Sequence, residues 1–256
     1  MVDIHSHILP GVDDGARTLE ESLEMCGMSA SDGVKTIVAT PHAHDDVHET
    51  HDPMFLQQKV DQLNARLDDR IRVVLGCELR FTHAVVKHVC VDKTAPTIAN
   101  GPYALIEFPH AVVPVGSERA LFELMSNGIK PVVAHPERNM MLMAEPERFY
   151  ALVEMGVLGQ IDTGSITGQF GIKVQQASRV MLENLLVHII ASDCHNTRNR
   201  LPGMSAAVRA AAEVVGIEYA AIMSDAIPAA VVEGKPVPFR PAPALPEKKR
   251  KRWLLF

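Results

Sequence analysis

The chain has 256 residues, of which 47% are hydrophobic and 22% charged, so it is long enough to bury one sizeable core and too apolar to be disordered. No apolar run approaches the ~18 residues that a membrane span requires, and the opening MVDIHSHILPGVDDG lacks the basic and apolar regions of a signal peptide. The net charge is −6, but it is unevenly distributed: residues 236–256 have six basic side chains and one acidic side chain, a net charge of +5. Residues 1–235 therefore carry −11, and an acidic body of this kind argues against a nucleic-acid groove.

Strand-like runs alternate with helical patterns along the chain. Seven apolar or β-branched runs predict buried strands at Val2–His5, Thr36–Thr40, Val73–Glu78, Tyr103–Phe108, Pro131–His135, Leu158–Thr163 and Val187–Asp193. Helical patterns lie between most of them, at Leu19–Met28, Met54–Leu67, Glu118–Met125, Glu147–Met155, Gly171–Leu185 and Met204–Val215. Thr18 and Glu21 have the spacing of a capping box, and glycines stand at the C-caps of helical segments at Gly33, Gly128, Gly156 and Gly216. This alternation predicts an α/β fold with parallel strands, in which seven or eight units would close a barrel.

Side chains of metal-ligand type stand at the ends of most predicted strands. The sixth strand is the weakest case, because it offers only Asp162 and Thr163. A parallel barrel places the carboxyl ends of its strands around one opening. Residues two apart on a strand share a face, so the HxH pair of the first strand and the DxH pair of the last can each bind one ion. The candidate metal ligands are His5, His7, Asp14, His42, Glu78, Glu107, His135, Asp193 and His195.

The collective pattern favours a metal cluster over isolated structural histidines. A single histidine at a strand end is more often a hydrogen-bonded structural residue than a ligand. Several carboxylates buried together without a cation, however, would cost several kcal/mol each. Nine ligands exceed the needs of one ion and suit two or three ions that share a carboxylate. Imidazole mixed with carboxylate suits Mn, Fe or Zn, whereas Mg prefers oxygen and water.

The order of these motifs is similar to that of a known superfamily. An HxH pair, Thr40-Pro41-His42, two glutamates, a histidine and a DxH pair resemble the PHP (polymerase and histidinol phosphatase) superfamily. Within that superfamily, the chain resembles the bacterial, manganese-dependent protein-tyrosine phosphatases of capsule and exopolysaccharide loci. This closer resemblance rests on the flanking sequence segments DIHSHI, VDDG, TLEES, AHPER and ASDCHN. The resemblance spans about residues 1–235, and the ordered set is far more specific than HxH alone.

The resemblance implies a distorted (β/α)7 barrel, which is the TIM-like PHP fold, and three divalent ions, most often Mn with Fe or Zn as alternatives. By position, the ligands of the first ion are His5, His7, Glu78 and Asp193. The second ion shares Glu78, and its other ligands are Glu107 and His135. The ligands of the third ion are Asp14, His42 and His195.

Asp13 and Asp14 compete for one of these roles, and Asp14 is preferred because the family places the carboxylate directly before Gly15. Arg138 and Arg200 match family positions that bind phosphate, since a guanidinium fork suits the equatorial oxygens of a phosphate. Arg198 is an alternative to Arg200, because the loop between His195 and Arg200 departs from the family's proline-containing form.

The implied reaction is in-line attack of a metal-bound hydroxide on phosphorus, without a phosphoenzyme. A phenolate, with a pKa near ~10, leaves with little protonation, which is compatible with phosphotyrosine. The implied substrate is a phosphotyrosine protein, an autophosphorylating and membrane-anchored tyrosine kinase that controls capsule or exopolysaccharide synthesis.

Three other functions compete with this interpretation. Cys194 and Arg200 satisfy the C-x5-R signature of cysteine-dependent tyrosine phosphatases, but the loop between them has no glycine to wrap a phosphate. A small-molecule phosphomonoesterase of the histidinol-phosphatase kind would use the same metals. A non-catalytic, metal-stabilised interaction module would keep the ligands and show no turnover. The four cysteines show no CxxC spacing, which indicates a reduced, cytoplasmic chain.

Residues 1–235 are the predicted phosphatase domain, and residues 236–256 are a Pro-rich linker followed by a basic, hydrophobic tail. The tail either contacts an anionic membrane at its inner face, docks on the kinase or is disordered. The side chains predicted for membrane contact are Lys248, Lys249, Arg250, Lys251, Arg252 and Trp253. Two interpretations also remain for the polar loop that contains His44, His48 and His51: it is either a solvated loop or a rim over the site.

Overall fold

The computed structural model describes residues 1–246, so the tail predicted to contact a membrane, at 248–253, lies outside the described residues. The strands are β1 (Val2–Ser6), β2 (Thr36–Ala39), β3 (His42–Ala43), β4 (Arg72–Leu75), β5 (Glu78–Arg80), β6 (Tyr103–Glu107), β7 (Lys130–Ala134), β8 (Leu158–Asp162) and β9 (Ile189–Ala191). The α-helices are α1 (Leu19–Ser31), α2 (Pro53–Asn64), α3 (Ser117–Ser126), α4 (Met140–Ala144), α5 (Pro146–Met155), α6 (Thr163–Thr167), α7 (Ile172–Glu183), α8 (Ser205–Val215), α9 (Ile217–Ser224) and α10 (Ala226–Val232). Short 3₁₀ turns occupy Ile98–Asn100 and Pro136–Arg138, and a π-helical turn occupies Lys87–Val91.

The strands pair in parallel into two sheets. One has the order β1–β2–β4 and the other the order β3–β5–β6–β7–β8–β9. A parallel bridge between Ser6 and Cys194 places the end of β1 beside the segment that follows β9, where the N–H of His7 donates to the carbonyl of Cys194 at 2.9 Å. The predicted parallel α/β class is therefore confirmed.

Pairing is interrupted after the second predicted strand and within the third. The second predicted strand ends at Ala39, before Pro41, which has no N–H to donate to a sheet. The third is interrupted at Gly76, where a Cβ would lie 2.9 Å from Cγ1 of Val38 on the neighbouring strand, so that glycine alone allows this close approach. The strands resume pairing beyond the break, with His42 and Glu78 as register partners at the start of β3 and β5. The break thus brings an imidazole and a carboxylate side by side.

The core lies between the strands and the helices that cover them. Because helices cover the outer face of a parallel sheet, its strands are apolar on both faces. Fully buried strand residues include Ile4, Ile37, Val38, Ile106, Val132, Val133, Ile161, Ile189 and Ile190. Their continuous burial explains why the sequence shows near-continuous apolar runs rather than strict alternation.

The six predicted helices correspond to α1, α2, α3, α5, α7 and α8. Thr18 accepts the N–H of Glu21 at 3.2 Å, but the Glu21 carboxylate accepts the N–H of Arg17 at 2.9 Å, so only half of the predicted capping box forms. The helices α9 and α10 were not predicted, because their nearly all-apolar sequences hide the helical period. No helix within residues 1–246 has both the length and the apolar content that crossing a bilayer requires.

The described part of the Pro-rich segment contains neither helix nor strand and lies against the body. The ring of Phe239 meets Tyr219 edge-on at a centroid distance of 5.7 Å. The N–H of Ala244 donates to the carbonyl of Asn184 at 2.9 Å. The segment from 236 to 246 is therefore packed along the body at these points.

His188 makes the fold acid-sensitive at a point outside the candidate site. Its side chain is fully buried just before β9, and its Nδ1 accepts the N–H of Gly159 at 3.1 Å. Burial, and then the charge of Arg240, lower the pKa of His188 to about 3. The unfolded chain binds this proton at a higher pH. The contribution of His188 to the free energy of unfolding is therefore fully present above the pKa of about 6.5 in the unfolded chain. It falls by ~1.4 kcal/mol per pH unit as the pH drops toward 3.

We expect the His188→Asn variant, which keeps a hydrogen-bond acceptor, to flatten the acid limb of stability. The free energy of unfolding, measured by urea denaturation between about pH 6 and pH 4, should fall less steeply in the variant than in the wild type. Equal slopes in the two proteins would contradict this role for His188.

Candidate metal centre

All nine predicted ligands lie at one edge of the sheets, at or after the carboxyl ends of strands or, for His42 and Glu78, at the first residues of β3 and β5 beyond the strand breaks. Overlapping sets of His, Asp and Glu donors lie within 4.8 Å of one another, and we divide the nine residues into three clusters, with His7 close to both the first and the third. The first cluster is His5, His7, Glu78 and Asp193. The second cluster is Glu78, Glu107 and His135. The third cluster is Asp14, His42 and His195.

Three donors of the first cluster have the spacing of a cation site. The two Nε2 atoms of His5 and His7 are 3.4 Å apart, and each lies 3.4 Å from Oδ1 of Asp193 and from Oε2 of Glu78. An ion placed about 2.1 Å from each corner fits over the triangle of His5, His7 and Asp193, and this distance is a bond length typical of imidazole on Zn²⁺. The donor atoms present therefore fit a divalent cation of first-row size.

The second cluster is built on the other oxygen of Glu78. His135 Nε2 lies 2.8 Å from Glu78 Oε1 and 3.9 Å from Glu107 Oε1. The second oxygen of Glu107 is 3.0 Å from Nη1 of Arg80. Glu78 thus offers one oxygen to each of two clusters, which is the geometry expected of a bridging carboxylate.

The third cluster gathers two imidazoles around a half-exposed carboxylate. Oδ1 of Asp14 lies 3.2 Å from Nε2 of His195 and 3.5 Å from Nε2 of His42. The ring of His7 stands beside this group, with its centroid 3.9 Å from that of His195. The third cluster is consequently continuous with the first and more open to solvent.

Asp13 and Asp14 have different surroundings. Asp13 lies behind His7, with its Oδ2 2.7 Å from His7 Nδ1. Burial would raise the pKa of Asp13, but the charge of His7 outweighs burial and lowers that pKa to about 2. Asp14 faces the donors of the third cluster instead. The next residue, Gly15, passes so close to His7 that a Cβ there would lie 1.9 Å from the His7 carbonyl oxygen. Glycine thus allows the loop to fold over the site, with Asp14 on its inner side.

Glu78 is the electrostatic centre of the site. Burial alone would raise the pKa of its carboxyl, but the charge of His5 and hydrogen bonds with His135 and His42 hold that pKa well below its usual range. For His42, burial alone would lower the pKa, but hydrogen bonds with Asp14 and Glu78 outweigh burial and raise the pKa to about 10. The imidazoles around these buried carboxylates take up protons when no cation is bound, and a bound cation would replace those protons.

Two of the donors follow their strands in a left-handed backbone conformation. His135 has a φ of 28° after β7, and Asp193 a φ of 50° after β9. Such conformations cost about 1–3 kcal/mol at a residue other than glycine and persist only where the surroundings impose them. Here they turn both side chains into the cluster at the strand ends.

The two predicted phosphate-binding arginines meet at Asp193. Nη1 of Arg138 lies 2.5 Å from Oδ2 of Asp193, and Nη2 of Arg200 contacts the same oxygen. The ring of Phe170 packs against both guanidinium groups, with their Cζ atoms 4.8 and 5.8 Å from its centroid. Arg198, the predicted alternative to Arg200, is exposed on the same loop.

Cys194 has none of the properties of a nucleophile. Its side chain is fully buried, and burial raises the pKa of its thiol. A reactive cysteine needs an accessible thiolate with a lowered pKa. The C-x5-R match between Cys194 and Arg200 therefore lacks the environment that its chemistry requires.

The histidine-rich loop contacts the site through His48 and Asp45, and Nε2 of its His51 lies 3.0 Å from the carbonyl oxygen of Val12. The ring of His48 stacks on His42 at a centroid distance of 4.5 Å, and its Nδ1 is 2.7 Å from Asp45. His44 turns away and stacks on His88 at 3.6 Å. This loop thus forms part of the rim beside His42.

Sequence reasoning missed Gln160 and Phe170, which contact the site, and set Asp162 aside as part of the weakest case. Gln160 and Asp162 face inward from β8, and Phe170 lies on the loop after α6. Gln160 and Asp162 are two apart on a strand, the same spacing that marked the HxH and DxH pairs, and this signal could have found them. No sequence signal distinguishes Phe170 from an ordinary loop residue.

Comparison with known proteins gives consistent matches over most of the chain. The family described as "Capsular polysaccharide synthesis, CpsB/CapC" matches residues 1–233. The chain is 38% identical over 203 residues to the tyrosine-protein phosphatase YwqE of Bacillus subtilis, covering 78% of this chain and 79% of YwqE. It is 36% identical over 227 residues to the tyrosine-protein phosphatase CpsB of Streptococcus agalactiae, covering 86% and 93% of the two chains.

The fold agrees with these sequence matches. It superposes with a TM-score of 0.91 and 34% identity on a chain from the crystal structures of YwqE from Bacillus subtilis and CpsB from Streptococcus pneumoniae, described as unique metal-dependent tyrosine phosphatases. The superposition covers 97% of this chain and 100% of that one. The resemblance predicted from the motifs is confirmed, and the chain belongs to the CpsB/CapC family of capsular polysaccharide synthesis.

Proposed function

We propose that this chain is a metal-dependent protein-tyrosine phosphatase of capsule or exopolysaccharide synthesis. The observation that carries the proposal is the position of Asp193. Its Oδ1 faces the imidazoles of His5 and His7, and its Oδ2 receives Arg138 and Arg200. One carboxylate thus joins the metal-ligand donors to two guanidinium groups, which places two cations where they would stabilise charge on a phosphoryl group. Relatives named tyrosine-protein phosphatases support phosphotyrosine as the substrate class.

The proposed metal content is three divalent ions, one at each cluster, with Glu78 shared between the first two. The mixture of imidazole and carboxylate donors favours Mn²⁺, with Fe or Zn as alternatives. When bound, the ions would lower the pKa of coordinated water toward neutrality and withdraw charge from the phosphoryl oxygens.

The chain's own residues would bind and orient the phosphate. Arg138 contacts Asp193 and Asp162 through Nη1. Arg200 contacts Asp193 through Nη2, and its Nη1 lies 2.9 Å from Nε2 of His195. The remaining N–H groups would suit the equatorial oxygens of a phosphate. Phe170 holds the two guanidinium planes beside the clusters. The leaving phenolate has a pKa near ~10, so departure of the tyrosine needs no general acid from the protein.

Arg200 and Arg198 form a matched pair for testing phosphate binding. We expect Arg200→Ala to raise KM for a phosphotyrosine peptide by about tenfold, because one charge-assisted contact to the phosphate is lost. Arg198→Ala should leave KM within about twofold of the wild type, since its side chain lies exposed. A larger effect at Arg198 than at Arg200 would reverse the assignment.

The same proposal extends to the fold and its domains. If β3 continues β2 and β5 continues β4, the nine strands reduce to seven, and the Ser6–Cys194 bridge joins the first to the last. We therefore take the two sheets as one distorted (β/α)7 barrel of the PHP type. Residues 1–235 would form the phosphatase domain, and residues 236–256 the linker and tail.

The proposed physiological substrate is a membrane-anchored, autophosphorylating tyrosine kinase of the same biosynthetic system. Membership of a capsule-synthesis family supports this choice. The proposed location is the cytoplasm, at the inner face of the membrane, where the basic residues from 248 to 252 and Trp253 would contact anionic lipid.

Substrate selectivity tests the proposed function. The Mn²⁺-loaded full chain should show a higher kcat/KM for a phosphotyrosine peptide than for the matched phosphoserine peptide or for histidinol phosphate. The reason is that the phenolate is the better leaving group. A preference for histidinol phosphate would instead assign the chain as a small-molecule phosphomonoesterase, and absence of all turnover would assign it as a binding module.

A further inference from the structure

The two inward-facing residues of β8 connect a metal-ligand imidazole to a phosphate-binding arginine. Gln160 and Asp162 are both fully buried. The side chain of Gln160 reaches Nδ1 of His5 at 2.9 Å on one side and Oδ1 of Asp162 at 2.9 Å on the other. The second oxygen of Asp162 accepts from Nη1 of Arg138 at 2.8 Å. A continuous hydrogen-bonded chain thus runs from His5 to Arg138.

The direction of these hydrogen bonds follows from the chemistry of their members. Asp162 is paired with Arg138, so it acts as a carboxylate and only accepts. The group of Gln160 that faces Asp162 must then be its NH₂, which leaves its carbonyl oxygen toward His5. Only a protonated Nδ1 of His5 can donate to that oxygen. In the neutral ring the lone pair of His5 is therefore on Nε2, the atom that faces Glu78 and Asp193 in the first cluster.

Asp162 is itself fixed from a second direction. Its backbone N–H donates to Oε1 of Glu137 at 3.0 Å, which ties the end of β8 to the 3₁₀ turn that carries Arg138. Nη1 of Arg138 is then held between two carboxylates, Asp162 at 2.8 Å and Asp193 at 2.5 Å. The guanidinium group has little freedom to rotate away from the site.

We propose that Gln160 and Asp162 are positioning residues with separable roles, an inference that rests on the proposed function. Gln160 selects the tautomer of His5 that offers Nε2 to a cation, and Asp162 holds Arg138 in the orientation that receives phosphate. Partners of this kind behind a metal-ligand imidazole typically contribute 10–100-fold in metal affinity.

The separation of roles is tested with two variants of the full chain. Gln160→Leu, which removes both hydrogen bonds at similar volume, should weaken Mn²⁺ binding by isothermal titration by about 10-fold. In ¹⁵N-histidine spectra of the metal-free protein, recorded at a pH where the His5 ring is neutral, that ring should change from the Nδ1–H form to a mixture of tautomers. Asp162→Asn should leave Mn²⁺ affinity within about twofold and raise the inhibition constant of inorganic phosphate by about tenfold, because Arg138 loses a charged partner.

Asp32→Asn is the matched control for structural damage. The Asp32 carboxylate accepts the N–H groups of Met204 and Ser205 at the start of α8, far along the chain from β8. Its loss should lower the melting temperature without changing Mn²⁺ affinity, the His5 spectrum or phosphate inhibition.

The proposal is overturned if Gln160→Leu binds Mn²⁺ as the wild type does and keeps the His5 tautomer. It is also overturned if Asp162→Asn lowers stability as the control does and leaves phosphate inhibition unchanged. Mn²⁺ titration and the His5 spectrum need no turnover, so they decide the role of Gln160 even if the wild type fails to hydrolyse phosphotyrosine.

Discussion

Replacement of Glu78 by glutamine is expected to reduce phosphotyrosine hydrolysis by about 10³-fold, because a neutral amide cannot bridge two cations whose combined stabilisation of charge is worth several kcal/mol. Each oxygen of Glu78 belongs to a different cluster, one 2.8 Å from His135 and the other 3.4 Å from both His5 and His7. The loss should therefore appear as a lower Mn²⁺ stoichiometry, measured by elemental analysis after dialysis, together with a lower kcat.

Asp3→Asn provides the matched control on β1. Asp3 is a buried carboxylate whose Oδ1 accepts the N–H groups of Ser192 and His5, and asparagine retains that oxygen. The control should keep the wild-type metal content. A Glu78→Gln variant with full metal content and undiminished kcat would show that Glu78 does not bridge the clusters.

Replacement of Arg138 by alanine is expected to lower kcat/KM for a phosphotyrosine peptide by about 10²–10³-fold, the usual cost of removing one donor to a developing oxyanion. Lysine at this position should recover only part of the loss, because an ammonium group keeps the charge but cannot present the planar fork. The measurement is steady-state kinetics of the alanine and lysine variants at saturating Mn²⁺.

The alanine variant should also be less stable, by about 3 kcal/mol, because Asp162 loses its charged partner in the interior. Urea denaturation measures this change. Arg179→Ala removes an exposed arginine paired with Glu183 and should alter neither quantity measurably. An Arg138→Ala variant with wild-type kcat/KM would remove this residue from the phosphate site.

The sequence was sufficient to predict the parallel α/β class and the convergence of the ligand types at one edge. Both depend on local periodicity: residues two apart on a strand share a face, and parallel strands place their carboxyl ends together. For that reason the pair His5–His7 could be read from its spacing. Asp193 and His195 lie after β9, where Asp193 has a left-handed backbone, and they face different clusters, which strand alternation did not predict. The role of each side chain as a ligand stays a prediction that metal analysis must test.

The features that could not be predicted depend on contacts between distant parts of the chain. The interruption of a strand at Gly76 follows from a close approach to Val38 on a neighbouring strand, which no local pattern reveals. The hydrogen bond between Gln160 and His5 joins residues 155 positions apart. Sequence reasoning treated β8 as the weakest strand for function because it sought ligands, whereas its inward residues hold the groups that bind ligands.

The central claim is that hydrolysis depends on the metal clusters and not on Cys194. The most direct measurement is hydrolysis of a phosphotyrosine peptide by metal-stripped protein, with and without added Mn²⁺, in the wild type and in the variants His135→Ala and Cys194→Ser. We predict activity that requires Mn²⁺, is lost in His135→Ala and survives in Cys194→Ser. Activity that ignores Mn²⁺ and disappears with Cys194 would contradict the account and move the site to the C-x5-R loop.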